Sequence, residues 1–143
     1  LHIIGFGEIK VLCESIEEIN KTNKCKVVYD GLMHGDDYIK YCQSCHVGLS
    51  TQNIDGAFLE SSFPSKILSY LAMGLPVVSG RINCVELSSI KELVAFYDDG
   101  TPQSIAEAIM SIDICKLKDS RKKIRELDEK FVKDIRELLE GAR

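Results

Sequence analysis

The chain has 143 residues, a formal net charge of −4 and a hydrophobic content of 45%. This length and composition are usual for a folded domain with its own apolar core. The acidic balance argues against nucleic acid as a partner, because domains that bind polyanions are normally basic. No apolar run approaches the roughly 20 residues that a transmembrane helix requires.

The N-terminus lacks the basic start and long apolar stretch of a secretory signal. The chain begins at Leu1 and enters a predicted strand almost at once, so we expect a fragment truncated at its N-terminus. It contains six cysteines. Because no secretion signal is visible, we expect reduced thiols and a cytoplasmic location.

Strands and helices alternate along the chain as far as Ile112. The predicted strands are 1–5, 24–29, 46–50, 76–79 and 93–97, and the predicted helices are 8–20, 36–42, 64–74, 85–91 and 102–112. A polar loop covers 51–62, and Thr101 or Ser104 is expected to cap the last of these helices. The alternation predicts an α/β fold with a doubly wound parallel sheet covered on both faces.

A long charged helix is predicted over 119–139. Its apolar stripe consists of Ile124, Leu127, Phe131, Ile135 and Leu138. The stripe either docks on the chain's own sheet or crosses to a partner domain. The basic residues between 116 and 125 form a solvated helix face or contact anionic lipid. We expect a Rossmann-like domain over 1–115 and this charged amphipathic helix over 116–143.

The segment 63–79, FPSKILSYLAMGLPVVS, is the most informative part of the chain. Pro64 and Ser65 are predicted to open a helix, which Gly74 ends, and Pro76 leads into a buried strand. The start of such a helix presents free N–H groups and a positive dipole end, which suit phosphate. Ser65 and Lys66 are therefore candidate phosphate ligands. The alternative is that Ser65 only caps the helix and Lys66 is solvated.

Ligands of parallel sheets bind beyond the carboxyl ends of the strands. Four features are candidates for this edge: the glycine loop at 5–7, the turn Asp30-Gly31, the loop from Ser50 and the helix start at Ser65. We expect all four to meet at one edge. The glycine loop fails the dinucleotide fingerprint, because lysine stands where its final glycine should be.

These segments together resemble the nucleotide-sugar-binding half of GT-B glycosyltransferases, in particular the group 1 family. The clearest similarity is at 72–78, AMGLPVV, where a small residue, glycine and proline lead from a helix into an apolar strand. The weaker part of the resemblance covers LHIIGFGE at the N-terminus, KVVYDGLMHGDDYIKYCQSCHVGLS from Lys26, and ELVAFYDDGTPQSIAEAI from Glu92.

The resemblance implies one Rossmann-like half of a GT-B enzyme that transfers a sugar to an acceptor hydroxyl in polysaccharide or glycoconjugate synthesis. The donor would be a UDP- or GDP-linked sugar, with no metal and no further cofactor. It implies that Ser65 and Lys66 hold the diphosphate. The other implied donor-site residues are Gly7, Asp30, Gly31, Leu32, Ser50 and Ser69.

The resemblance places the catalytic base, and a glycan or lipid-linked acceptor, in the N-terminal half of such an enzyme. The fragment alone is therefore expected to be inactive. Peripheral contact with the inner face of a membrane is a further expectation, through the basic residues between 116 and 125. The family often carries two glutamates at positions equivalent to Ser61 and Ser69, and Glu60 lies beside the first. Glu86 stands where the family often has a glutamate after a glycine-rich loop. Because the two glutamates are absent, a noncatalytic nucleotide-binding or regulatory domain is the alternative.

Other site types fit the residues less well. The run from Cys42 to His46, CQSCH, matches the pattern of c-type haem attachment, which requires export, so we interpret it as a coincidence. A zinc site would need two more ligands, and a thioredoxin-like role would need the cysteine pair to open a helix. A flavodoxin-like receiver would need an aspartate at the end of the third strand, where Ser50 stands.

Overall fold

The computed structural model of the chain describes residues 1–52, 63–113 and 119–141. The elements are, in order, β1 (His2–Ile3), α1 (Ile9–Thr22), β2 (Val28–Tyr29), α2 (Gly35–Ser44), β3 (Gly48–Ser50), α3 (Ser65–Ala72), β4 (Val77–Gly80), α4 (Asn83–Glu86), a 3-10 helix (Lys91–Leu93), β5 (Val94–Tyr97), α5 (Pro102–Met110) and α6 (Ser120–Gly141). They fall into two compact units, Leu1–Lys40 and Tyr41–Arg143. In these described ranges no helix has both the length and the apolar character needed to cross a membrane.

The first unit contains a two-stranded parallel ladder. His2 pairs with Val28 and Ile3 with Tyr29, and α1 connects the two strands. The second strand is shorter than predicted, because the side-chain amide of Asn20 takes both backbone groups of Val27 at 2.8 Å. A side chain of α1 therefore replaces a strand partner just before β2.

The second unit is built on a three-stranded parallel sheet in the order β3-β4-β5. All four residues of β4 are buried. Successive side chains of a strand point to opposite faces, and here Val77 packs with Ile67 and Leu71 of α3, whereas Val78 packs with Ala108 of α5. Helices therefore cover both faces of this sheet, which explains why every residue of β4 is buried.

The prediction of an α/β fold with parallel strands is confirmed. The single sheet expected from the alternation is not what the described residues form, because β1-β2 and β3-β4-β5 are separate ladders. Several strands are only two to four residues long. Short strands offer few ladder hydrogen bonds, and the sequence pattern does not state which strands pair.

Helix α3 ends as the sequence predicted. The N–H of Gly74 donates to the carbonyl of Leu71, and the N–H of Leu75 donates to that of Tyr70, both at 3.0 Å. These two bonds form a Schellman motif, which places Gly74 in the left-handed region at φ +87°. The predicted start was one residue early, because Pro64, with ψ 100°, precedes the helix rather than opening it.

The long helix α6 docks through its first turns on the second unit. The hydroxyl of Ser120 donates to the carbonyl of Leu71 at 2.9 Å, and the guanidinium of Arg121 donates to that of Met73 at 2.8 Å. Ile124 and Leu127 pack against the core under α3. Farther along the helix, the apolar residues are exposed: Phe131, Val132, Ile135, Leu138 and Leu139. Docking on the chain's own core is thus confirmed for the first half of the stripe.

Of the remaining helix predictions, the cap of α5 is confirmed and the helix over 85–91 is wrong. Thr101 caps α5, because its hydroxyl oxygen accepts the N–H of Ser104 at 3.2 Å. Ser104 is therefore the residue that is capped rather than the cap. The helix predicted over 85–91 is replaced by α4 and the 3-10 helix. The predicted loop 51–62 lies outside the described residues from 53 onward, as does the basic cluster at 116 and 118.

Candidate functional site

The candidate site of the second unit lies at the carboxyl edge of its sheet. The chain leaves β3 after Ser50, and α3 begins at Ser65 and returns along the sheet to β4. In this β-α-β arrangement, the end of the first strand and the start of the helix lie at the same edge. The structure therefore brings Ser50, Ser65 and Lys66 to the edge where the sequence predicted a ligand.

Ser50 presents a buried hydroxyl at the end of β3. Its side chain is 2% exposed. Its Oγ has no hydrogen-bond partner in the described ranges, and the same holds for Oε1 of Gln52, two residues farther along. Leaving such a group unpaired costs about 1–3 kcal/mol. Orphaned polar atoms in a native structure therefore call for a specific explanation, and a bound ligand is one.

The first turn of α3 receives no cap from its N-cap residue. Pro64 makes no side-chain cap hydrogen bond, and its carbonyl accepts the N–H of Ile67 at 3.0 Å. The N–H groups of Ser65 and Lys66 precede that bond, at the positions where helices leave donors unsatisfied. Both side chains are exposed. This turn offers N–H groups, a hydroxyl and an ammonium group to an anion.

Ser69 differs from a ribose-binding carboxylate in two respects. It lies one turn into α3 and is exposed, and its hydroxyl donates to the carbonyl of Ser65 at 3.2 Å. Its proton is therefore engaged by the helix backbone, which leaves only oxygen lone pairs for a ligand. Ser61 and Glu60, the other positions related to the family's glutamates, lie outside the described residues.

Arg81 is a charged residue at the same edge that the sequence analysis missed. It directly follows β4, as Ser50 ends β3. It forms two ion pairs: its Nη1 lies 2.5 Å from Glu86 Oε1, and its Nε lies 2.6 Å from Asp98 Oδ1. Its guanidinium carbon also lies 5.3 Å from the centre of the Phe96 ring, as in a cation–π contact. Hydrogen bonds to Asp98 and then Glu86 raise the pKa of Arg81. Glu86, expected to correspond to a family glutamate, is thus engaged in an ion pair, and an anion near Arg81 would compete with two carboxylates.

The first unit holds the other four candidate residues. Gly31 has φ +81°. Its carbonyl accepts the N–H of Gly5 at 3.0 Å, and this bond joins the turn after β2 to the glycine loop that contains Gly7. Asp30 Oδ2 lies 2.8 Å from Nδ1 of His2. Leu32 is 52% exposed. These residues cluster at the carboxyl end of β1 and β2. The meeting of all four predicted features at one edge stays a prediction.

Each unit contains a cavity. In the first unit a cavity of about 170 Å³ is lined by the glycine loop at 5–7, Ile9, Leu12 and Tyr29. In the second unit a cavity of about 250 Å³ lies at the opposite edge from Ser50, against Pro76, Val77 and Val94 at the starts of β4 and β5. Ligand pockets usually measure about 300–1,000 Å³. Neither cavity alone has the volume that a nucleotide-sugar needs.

The cysteine pair of the CQSCH run lies at the end of α2, as the sequence predicted. Cys42 is in the last turn of the helix, and Cys45 follows it. In the parts of the chain that are described, no three His, Cys, Asp or Glu side chains are grouped as a metal site requires.

Comparison with protein-family models, with curated proteins and with solved structures finds no match for this chain. The family resemblance therefore depends on the sequence pattern at 63–79 and its flanking segments.

Proposed function

We propose that this chain is the donor-binding half of a GT-B glycosyltransferase, with a Rossmann-like doubly wound fold, and that it holds a UDP- or GDP-linked sugar. The observation that carries the proposal is the pairing of two unsatisfied features at one sheet edge. These are the buried hydroxyl of Ser50, unpaired in the described ranges, and the first turn of α3 at Ser65 and Lys66, to which the N-cap residue Pro64 gives no side-chain cap. Hydroxyl, N–H and ammonium groups are the chemistry that binds a ribosyl diphosphate.

In the proposed reaction the sugar passes to an acceptor hydroxyl and the nucleoside diphosphate leaves. Negative charge then grows on the diphosphate. The N–H groups of Ser65 and Lys66, together with the Lys66 ammonium, would stabilise that charge in the transition state. The acceptor and the catalytic base belong to the N-terminal half of such an enzyme, so these 143 residues alone should bind the donor without turning it over.

A titration of the 143-residue chain with UDP, GDP, ADP and their sugar conjugates, followed by backbone amide shifts, tests the proposal. We expect one base to produce saturable shifts at Ser50, Ser65 and Lys66. Lys66→Ala should weaken binding about fivefold, since an exposed ion pair contributes up to about 1 kcal/mol. Lys130→Ala is the matched control, because it removes an exposed lysine from α6. The proposal fails if no nucleotide shifts the edge residues, or if both lysine variants weaken binding equally.

A noncatalytic nucleotide-binding domain is the second candidate. Ser69 favours this candidate, because a serine offers a ribose no carboxylate. The proton of its hydroxyl is also engaged by the carbonyl of Ser65. The same titration separates the two candidates. A donor-binding domain binds the sugar conjugate at least as tightly as the free nucleoside diphosphate, whereas a sensor of free nucleotide loses affinity when the sugar is attached.

A further inference from the structure

Two cysteines three positions apart share a tight turn at the end of α2. The N–H of Cys45 donates to the carbonyl of Cys42 at 2.9 Å. A turn closed by such a bond brings its end Cα atoms within about 7 Å, and disulfides join Cα atoms about 4.4–6.8 Å apart. The backbone between Cys42 and Cys45 therefore already has the compact geometry that a disulfide needs.

The two cysteines lie near the same tyrosine and differ in exposure. Cys42 is 5% exposed, whereas Cys45 is partly exposed and its Sγ lies 3.5 Å from the carbonyl oxygen of Tyr41. Burial raises the pKa of the Tyr70 hydroxyl, and the nearby thiols of Cys42 and then Cys45 raise it further. Both cysteines therefore lie near Tyr70.

Tyr70 has little freedom to move away. A Cβ atom placed on Gly48 would lie 2.5 Å from Cγ and Cδ2 of the Tyr70 ring, so the ring is packed directly over the backbone of β3. A change in the covalent geometry at Cys42 and Cys45 would therefore be transmitted to Tyr70. Since Tyr70 belongs to α3, the change would reach the helix that begins at Ser65.

We propose that Cys42 and Cys45 form a reversible disulfide, with a low-molecular-weight disulfide such as oxidised glutathione as the oxidant, and that this bond is a redox switch acting on the packing of Tyr70. The thiolate of the accessible Cys45 attacks the oxidant, which forms a mixed disulfide and releases one thiol. The thiolate of Cys42 then attacks the Cys45 sulfur and expels the second thiol. Two protein thiols are oxidised, one disulfide is reduced to two thiols, and the protons pass to these leaving groups through water.

This role differs from that of a thioredoxin-like catalyst, whose cysteine pair opens a helix. Here the pair closes one, as Cys42 lies in the last turn of α2. The bond would serve this chain alone rather than exchange electrons with substrates. An effect of the switch on ligand binding at Ser65 rests on the proposed function, whereas formation of the bond and its effect on Tyr70 do not.

Oxidation of the intact chain with glutathione disulfide tests the proposal. We expect a product lighter by two hydrogen atoms, a Cys42–Cys45 cross-link in peptide mapping after thiol blocking, and recovery of the starting mass with reduced glutathione. Cys45→Ser, at a partly exposed position, should give no cross-link. Cys25→Ser is the matched control, because it removes an exposed cysteine and should leave the cross-link unchanged. A stable glutathione adduct on Cys45, or a bond that joins other cysteines, would overturn the proposal.

Amide shifts of Gly48 and Tyr70 provide the second measurement. They should move on oxidation of the unaltered chain and stay in place in Cys45→Ser. If the disulfide forms and these two amides do not move, the bond exists and the switch does not. If the bond forms, the amides move and no nucleotide binds in either state, then the proposed function fails while the redox switch stands.

Discussion

Ser50 and Ser79 are partners across the β3-β4 ladder, and both side chains are buried, yet only the hydroxyl of Ser79 has a hydrogen-bond partner in the described structure. Ser79 donates to the carbonyl of Gly80 at 3.1 Å. Two residues of the same type on neighbouring strands therefore differ in whether the hydroxyl has a partner within the described residues.

We expect Ser50→Ala to leave the free energy of unfolding unchanged or raise it by about 1 kcal/mol, because it removes an unpaired buried hydroxyl. Ser79→Ala should lower it by about 1 kcal/mol, because a made hydrogen bond is lost. Urea unfolding of both variants measures the difference. In the titration, Ser50→Ala should weaken nucleotide binding while Ser79→Ala should not. A loss of stability in Ser50→Ala would show that its hydroxyl is already satisfied.

Gly74→Ala should lower the free energy of unfolding by about 2 kcal/mol. A side chain at φ +87° costs about 1–2 kcal/mol in the left-handed region. The new Cβ would also displace the guanidinium of Arg121, which lies within 2.8 Å of that position and donates to Met73. Gly100→Ala is the matched control, since nothing lies within 4 Å of its added Cβ, and thermal unfolding compares the two. Equal stability of the two variants would contradict this account of the helix end.

Gly48→Ala should destabilise the chain by about 1–3 kcal/mol, the usual cost of overpacking a core. The added Cβ meets the Tyr70 ring at 2.5 Å, and ring atoms cannot bend away as the end of a flexible side chain can. In a double-mutant cycle, Tyr70→Ala should make the loss from Gly48→Ala smaller, because it removes Cγ and Cδ2, the two atoms nearest the added Cβ. Additive losses in the cycle would mean that the two residues do not collide.

Acid should weaken the turn before α5. Hydrogen bonds from the Thr101 hydroxyl and then its N–H lower the pKa of the Asp99 carboxyl. A carboxyl with a lowered folded-state pKa stabilises the fold above its unfolded pKa of about 3.9, and that contribution is lost as pH falls through the folded value. The melting temperature should therefore fall more steeply below about pH 4 in the unaltered chain than in Asp99→Asn. Asp128→Asn, at an exposed position of α6, should retain the steep fall.

Thr101→Ala tests the cap itself. The hydroxyl oxygen of Thr101 accepts the N–H of Ser104, and loss of such a cap costs about 1 kcal/mol. Ser104→Ala removes the competing candidate and should change the free energy of unfolding by less than about 0.5 kcal/mol. Urea unfolding that ranks the two variants in the opposite order would identify Ser104 as the cap.

The sequence could predict features that nearby residues determine. The stop at Gly74 and the cap at Thr101 depend on a few adjacent positions, and both are confirmed. Features that join distant residues were missed. Arg81 meets Asp98 only because β4 and β5 are neighbours, and Asn20 replaces a strand partner of Val27 across a turn. The hydroxyl of Ser50 was predicted as a candidate, but its lack of a partner depends on the surrounding packing.

Helix α3 has eight residues, and the first residues of α6 donate to the carbonyl of Leu71 near its end and to that of Met73, which follows it. A shortened version of the chain that ended near residue 115 would remove the side-chain donors to the carbonyls of Leu71 and Met73, and the Leu71 carbonyl would keep only its backbone bonds. It would also uncover the core beneath Ile124. The charged tail is therefore part of what fixes the short helix, so trimming it to improve handling of the protein would alter the stretch that begins at Ser65.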